Sequence, residues 1–183
     1  MVDPVTRTDE VVDVRPPTSR DVDALYAAVA ESRPELETWM AWCHPGYGRV
    51  DTAEWVQLTE QGRANGTDHS FVIVERATGS VLGTCGLNAV DRVNQWANLG
   101  YWVRTPATGR GVATRAATLV ADFGFAELGL HRIEILAATG NAPSQHVAMR
   151  VGAVREGVAR RRLHVNETSH DAVVFSLIRD EWR

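Results

Sequence analysis

Two glycines stand between a predicted strand and a predicted helix, and this junction constrains the fold more than any other segment. The strand is Asn98–Val103, which is rich in aromatic and β-branched residues. The helix is Arg115–Leu128, in which apolar residues recur at helical intervals. Gly109 and Gly111 lie between them and let backbone N–H groups approach a ligand that a Cβ would exclude. Because a helix N-terminus adds free donors and partial positive charge, the junction predicts a site for phosphate or pyrophosphate.

The junction matches neither of the two common nucleotide-binding motifs. An NTPase phosphate loop requires a lysine after its last glycine, but the chain contains no lysine, and all 19 basic residues are arginine. A dinucleotide fingerprint requires a third glycine at the position of Thr114. A glycine-rich turn that binds nothing is the alternative interpretation, and the motif alone does not separate the two.

Composition narrows the class of protein. A length of 183 residues with 44% hydrophobic and 23% charged residues predicts one globular domain over residues 1–183, with residues 1–10 loosely ordered. The net charge of −4 argues against a nucleic-acid binder with a broad basic face. No apolar run approaches the ~20 residues that span a bilayer, and no signal peptide is present, so we expect no membrane partner and a cytoplasmic protein.

The two cysteines, Cys43 and Cys85, have no spacing that suggests a metal site or a disulfide framework. We therefore expect two buried free thiols and no bound metal.

The order of predicted elements favours an α+β fold. A strand is followed by two or three helices, three strands, a helix, a strand, a short helix and two strands. This order predicts a mostly antiparallel sheet with one parallel step across the helix that follows Gly111. The predicted strands cover residues 11–15, 69–75, 81–87, 98–103, 131–137, 154–165 and 171–178.

Several segments together resemble the GNAT superfamily of acetyl-CoA-dependent N-acetyltransferases, and in particular its RimJ/RimL branch. They run nearly end to end along the chain and are residues 21–26, 31–42, 100–103, 109–114, 141–144, 150–153, 156–157, 170–171 and 179–182. The resemblance implies a GNAT fold, with about seven strands flanked by about four helices. It also implies acetyl-CoA as cofactor and acetyl transfer to a primary amine, with the α-amine of a protein N-terminus, such as that of a ribosomal protein, as acceptor. A small-molecule amine acceptor and a non-catalytic acyl-CoA-binding module are the alternatives.

The resemblance also assigns residues to the cofactor. It implies that exposed backbone at Trp102, Val103 and Arg104 pairs with the pantetheine arm as an added strand would. N–H groups along the turn would hold the pyrophosphate, namely those of Gly109, Arg110, Gly111, Val112, Ala113 and Thr114. Asn141 resembles an asparagine that bonds the cofactor arm, and Ser144 resembles a serine near the thioester sulfur. Thr108 departs from the Gln or Arg of the family pattern.

Three chemical roles follow for acetyl transfer. Ser144 is the candidate acid that protonates the leaving thiolate, with a helix cap as its alternative use. A backbone N–H near Val103 is the candidate donor to the oxyanion. The base stays open, because Asn98 and Leu163 stand where relatives carry glutamate. The remaining candidates are Glu134, Glu156, His164, His44 and a water chain.

Four tryptophans are candidates for the acceptor pocket or for a contact between subunits. Trp39 and Trp42 are candidates for the acceptor pocket, and their helical spacing also fits plain core packing. A homodimer would place Trp96 or Trp182 at the contact between copies.

Overall fold

Eight strands form one mixed sheet in residues 5–182, the part of the chain that the computed structural model describes. The strands are β1 Arg7–Thr8, β2 Val12–Arg15, β3 His69–Glu75, β4 Val81–Asp91, β5 Trp96–Val103, β6 Arg132–Ala138, β7 Val154–Val165 and β8 Thr168–Ile178. The helices are α1 Val22–Glu31, α2 Arg33–Trp39, α3 Arg49–Asn65, α4 Val112–Ala126 and α5 Ala142–Val151. The α+β prediction is confirmed, with one strand and one helix more than expected.

The additional strand lies in the segment that was expected to be loosely ordered. Arg7 and Thr8 pair with Val14 and Asp13 of β2. The Asp9 carboxylate closes the turn between the two strands, because it accepts the backbone N–H groups of Val11 and Val12, each at 2.7 Å. That expectation is therefore wrong for residues 5–10, and residues 1–4 lie outside the described part of the chain.

The sheet has the order β1-β2-β3-β4-β5-β6-β8-β7, and only the β5–β6 pair is parallel. A parallel neighbour requires a crossover, and α4 supplies it. The predicted parallel step is therefore confirmed.

Helix α4 begins three residues before the predicted start. Gly111 precedes it with a left-handed backbone, and Val112 is already buried at 2% exposure. The apolar period used for the prediction does not include Ala113 and Thr114, so it detected the helix late. Gly124 lets the helix lie close to the sheet, because a Cβ there would come within 2.8 Å of Leu87 Cδ1.

Helix α4 covers one face of the sheet, where the main core includes Phe71, Ile73 and Phe123. Helices α1 and α3 cover the other face at β3 and β4. Cys43 and Cys85 are both free and buried, as predicted. Among residues 5–182, no helix is long and apolar enough to cross a bilayer.

Candidate active site

The turn between β5 and α4 presents a cluster of backbone donors. Gly109 and Gly111 have φ values of 72° and 78°, which favour glycine. The N–H groups of Val112, Ala113 and Thr114 lie in the first turn of α4, where no intrahelical acceptor is available. That turn contains no acidic side chain, so the partial positive charge of the helix N-terminus is not offset there.

Two arginines in or next to this turn, Arg110 and Arg115, form ion pairs with carboxylates. The Arg110 guanidinium pairs with Glu75. Arg115 pairs with Asp9 at 2.9 Å and with Glu10. The predicted contact of Arg110 with the pyrophosphate therefore depends on its backbone N–H, because its guanidinium is paired with Glu75.

Strand β5 separates from β6 along most of its length. The two strands pair only where Trp96–Asn98 faces Arg132–Glu134, so Leu99–Val103 has no strand partner on that side. The opening begins at Leu99, the fourth residue of β5, and continues to the end of the strand at Val103. A strand edge with free N–H and C=O groups inside the sheet can pair with an extended, amide-bearing ligand.

The direction of the peptide groups along β5 corrects the prediction that the backbone of Trp102, Val103 and Arg104 pairs with the pantetheine arm. The Arg104 N–H donates to the Leu82 carbonyl at 2.8 Å, and the Arg104 carbonyl accepts from Ala107 at 2.9 Å. Because peptide groups alternate along a strand, Trp102 also faces β4. Tyr101 and Val103 therefore present their peptide groups to the opening, whereas Trp102 and Arg104 do not.

Ser144 lies in the first turn of α5, facing β5 across the opening. Asn141 caps this helix, since its side-chain oxygen accepts the Ser144 N–H at 3.1 Å. The capping role that was the alternative for Ser144 thus belongs to Asn141. The Tyr101 hydroxyl donates to the Ser144 carbonyl at 2.9 Å and lies 3.3 Å from Ser144 Oγ. The Ser144 hydroxyl is therefore held by a tyrosine, and burial raises the pKa of Tyr101 so that it stays protonated.

Sequence reasoning did not assign Tyr101 to the site. A signal was available in the alternation of β5, because Leu99, Tyr101 and Val103 share the face that packs on the main core. A single hydroxyl on an otherwise apolar strand face requires a partner when it is buried.

A cleft of about 640 Å³ joins these features. Its size falls within the range of small-molecule sites, and its walls offer the donors that a long anionic thioester needs. They include the glycine turn, the open edge of β5 and the exposed Arg150 on α5. The residues present therefore fit acetyl-CoA. The lining residues are Glu35, Leu36, Trp39, Met40, Tyr101, Trp102, Val103, Ala107, Thr108, Gly109, Gly111, Val112, Ala113, Thr114, Arg115, Asn141, Pro143, Ser144, His146, Val147 and Arg150.

A second cavity of about 330 Å³ lies between the sheet and helices α1 and α3. Met40, Tyr101 and Trp102 line both the cleft and this cavity. Trp39 lines the cleft and Trp42 the second cavity, so the two tryptophans serve different spaces. Neither is a core residue, because Trp39 is half-buried and Trp42 is exposed.

None of the four side chains considered as a base lines the cleft or the second cavity, within the lining that residues 5–182 provide. Hydrogen bonds from Arg132 and then Ser176 lower the pKa of Glu156 to about 2, so it is a poor proton acceptor at neutral pH. Glu134 pairs with the same arginine at 2.8 Å. His44 lies beside Asp51, 3.9 Å away.

The other positions considered for the base, His164, Leu163 and Asn98, also do not line the cleft or the second cavity. His164 is exposed, with Nδ1 3.5 Å from Ser169 Oγ. Leu163 has no titratable group. Asn98 donates from Nδ2 to Asn88 Oδ1 at 3.1 Å and carries no charge. The four side-chain candidates from the sequence therefore line neither space, and the identity of the base, with the water chain among its candidates, stays a prediction.

Comparisons with known proteins identify the family of the chain. A family model described as an acetyltransferase (GNAT) domain matches residues 12–154. The Bacillus subtilis (strain 168) protein named "Putative ribosomal N-acetyltransferase YdaF" is 30% identical, over 96% of this chain and 96% of its own length. The Escherichia coli (strain K12) ribosomal-protein-serine acetyltransferase is 23% identical, over 95% and 96%. Mycobacterium smegmatis RimJ, solved with CoA-disulfide, is 26% identical with a TM-score of 0.88, over 96% of this chain and 88% of that chain.

Proposed function

Because the chain belongs to the GNAT acetyltransferase family and is an acetyl-CoA-dependent N-acetyltransferase, we propose that its acceptor is the α-amine of a protein N-terminus. The names of the Bacillus and Escherichia relatives point to ribosomal proteins as the acceptor class. The observation that carries the proposal is the wall shared by the cleft and the second cavity. Met40, Tyr101 and Trp102 line both spaces, so a thioester in the cleft and an amine from the cavity can meet at β5.

The cofactor is assigned to the cleft in this proposal. Backbone N–H groups of residues 109–114 bind its diphosphate, and the positive-φ glycines aim those donors outward. The peptide group of Tyr101 and the carbonyl of Val103 pair with the amides of the pantetheine arm, and the Val103 N–H is kept for the reacting carbonyl. Asn141 uses its oxygen as a cap, which leaves its amide N–H₂ as a donor to the same arm.

When bound, acetyl-CoA supplies a thioester whose carbonyl carbon accepts the amine and whose thiolate departs. The Val103 N–H is assigned to the negative charge that develops on the carbonyl oxygen. The Ser144 hydroxyl gives its proton to the departing thiolate. The surplus proton of the amine leaves to water, and water restores the Ser144 hydroxyl, so that the products are an N-acetyl amide and a thiol. Tyr101 positions Ser144 by holding its carbonyl and its Oγ.

The proposal requires no charged side chain as base. An α-amine has a pKa near 8, so about a tenth of it is neutral at pH 7. Solvent in the second cavity can remove the surplus proton after attack. This accounts for a site in which Glu134 and Glu156 are both bound to Arg132 instead of facing the cleft.

Release of CoA from acetyl-CoA tests the function. Peptides that begin with Ser, Ala or Met are compared with a panel of small amines at equal concentration. Because the chain contains no lysine, background acetylation of the enzyme's own side-chain amines is absent. Turnover on peptides supports the proposal. Turnover on small amines alone refutes the N-terminal acceptor, and cofactor binding without turnover on either set indicates an acyl-CoA-binding module.

The proposal also covers the cellular compartment, the domain organisation and the oligomeric state of the protein. A ribosomal acceptor places the enzyme in the cytoplasm, where free thiols such as Cys43 and Cys85 stay reduced. We assign the whole chain to one domain. A homodimer stays a prediction, to be tested by light scattering. Trp182 packs on Phe125 and donates to Asp122 at 2.6 Å, and the Trp96 side chain is hydrogen-bonded to Asp91, so the two candidates for the contact stay open.

A further inference from the structure

The second cavity is bounded on one side by the sheet, which forms its floor, and two glycines there leave part of the sheet surface without side chains. On the face of the sheet toward α1 and α3, the registers of β3, β4 and β5 align Ser70 with Gly86 and Gly100. The two glycines leave this middle row nearly bare. A Cβ on Gly100 would meet nothing closer than Asn88 Nδ2 at 3.6 Å, so the floor has room for a ligand atom.

Aromatic rings form the walls above this floor. The Trp42 ring centroid lies 5.3 Å from that of Tyr47 and 5.9 Å from that of Trp102. Trp55 of α3 lines the same space. The faces of such rings attract ammonium and guanidinium groups, whereas they offer nothing to a carboxylate.

The cavity has one formally charged side chain among the described residues that line it, and that side chain is Asp68. It precedes β3, and the register places it opposite Asn88. The Ser70 hydroxyl donates to Asp68 Oδ1 at 2.7 Å and fixes the carboxylate. No ion pair found in residues 5–182 involves Asp68, in contrast to the paired carboxylates around the glycine turn. A fixed carboxylate without a cation, at the edge of an aromatic cavity, is suited to a cationic ligand.

The position of Asp68 decides which part of an acceptor it can reach. Asp68 lies two strands away from β5, a separation of about 10 Å at the usual strand spacing. The reacting amine must lie at β5, next to the open strand edge. Asp68 is therefore too far to bind the reacting amine itself and is placed for a second group.

We infer that the second cavity is an acceptor subsite in which Asp68 recognises a positively charged group carried by the acceptor, separate from the amine that is acetylated. In a peptide, the side chain of an arginine at the second position spans the required separation. The inference rests on the proposed function, since it names the class of acceptor that the same site prefers: amines that carry a second cation.

Two peptides test this specificity. Both begin with Ser and differ only at the second position, which is Arg or Gln. For the unaltered protein we expect kcat/KM to be about tenfold higher with the Arg peptide, mostly through KM. In Asp68→Asn, which keeps an oxygen for the Ser70 hydroxyl, the ratio of kcat/KM for the Arg peptide to that for the Gln peptide should fall to about one. Asp180→Asn is the matched control, because that carboxylate is exposed and remote from the cavity, and it should keep the tenfold ratio.

A binding measurement separates this inference from the proposed function. Three tryptophans line the cavity, so quenching of tryptophan fluorescence reports peptide binding without turnover. Preference for the Arg peptide in binding, lost in Asp68→Asn, supports the subsite even if neither peptide is acetylated, in which case the proposed acceptor is refuted. Equal binding and equal rates with both peptides overturn the subsite, as does a preference that survives in Asp68→Asn. Thermal melting checks folding, and Asp68→Ser serves as the second variant if the first is unfolded.

Discussion

Substitution of Tyr101 by Phe isolates the contribution of one hydroxyl to catalysis. The variant keeps the ring in the core and removes the hydrogen bond to the Ser144 carbonyl at 2.9 Å and the contact with Ser144 Oγ at 3.3 Å. A neutral hydrogen bond contributes about 1 kcal/mol, and the Ser144 carbonyl lies in the first turn of α5, where helix formation supplies a second donor. We therefore expect Tm to fall by only ~2–4 °C.

The effect of Tyr101→Phe on rate should exceed its effect on stability. Without the tyrosine, the Ser144 hydroxyl can rotate away from the thiolate, and the loss of about 1.4 kcal/mol of orientation corresponds to a tenfold lower kcat. KM for acetyl-CoA should stay unchanged, because the phosphate donors are untouched. The assay is steady-state CoA release, with Tyr26→Phe on α1 as the matched control.

A double-mutant cycle decides whether the two residues act together. If Tyr101 acts through Ser144, Tyr101→Phe should cost nothing further in the Ser144→Ala background, so the effects are not additive. Independent, multiplicative losses in the double variant would refute the positioning role. An unchanged kcat in Ser144→Ala would remove Ser144 from the mechanism.

Two further predictions concern binding and stability. Gly111→Val should weaken acetyl-CoA binding measured by calorimetry, since a Cβ in the open space beside the turn obstructs the donors. Gly129→Val carries a similar strain at φ 66°, away from the cleft, and should leave the affinity unchanged; equal losses in both variants would mean that backbone strain alone is responsible. Burial lowers the pKa of His69, whose two ring nitrogens have no hydrogen-bond partner among the described residues. As pH falls below about 6.5, the unfolded chain binds a proton that the folded chain resists, so the free energy of unfolding should fall. Urea denaturation at pH 7.5 and 5.5 should show a smaller decrease for His69→Phe, and an equal decrease would contradict the assignment.

The elements with strong local patterns were predictable from the sequence. Strand β3 matches its predicted bounds because β-branched residues run between clear turn residues. Strand β1 was missed because two residues carry no periodicity, and its pairing depends on the Asp9 turn. The early start of α4 was missed because Val112 is recognised as helical only once the left-handed Gly111 is known.

In the candidate site, the backbone donors could be predicted from the sequence and the side-chain contacts could not. Backbone donors at Gly109 and Gly111 could be predicted because glycine at a strand-to-helix junction limits the possible conformations. The side chains around them could not, because their roles depend on contacts between distant segments. Tyr101 contacts Ser144, which lies 43 residues away in the sequence, and the Glu156 carboxylate is bound by Arg132, which lies 24 residues away.

The short pairing of β5 with β6 has a mechanical consequence. Three residue pairs connect a section of five strands to a section of three, and α4 packs on both sections, since its Gly124 lies next to Leu87 of β4 and Ile133 of β6. The molecule therefore contains an incomplete seam that its own backbone does not close. A ligand amide at Tyr101 or Val103 would connect the two sections across this seam, and the free energy of unfolding would then rise with ligand concentration.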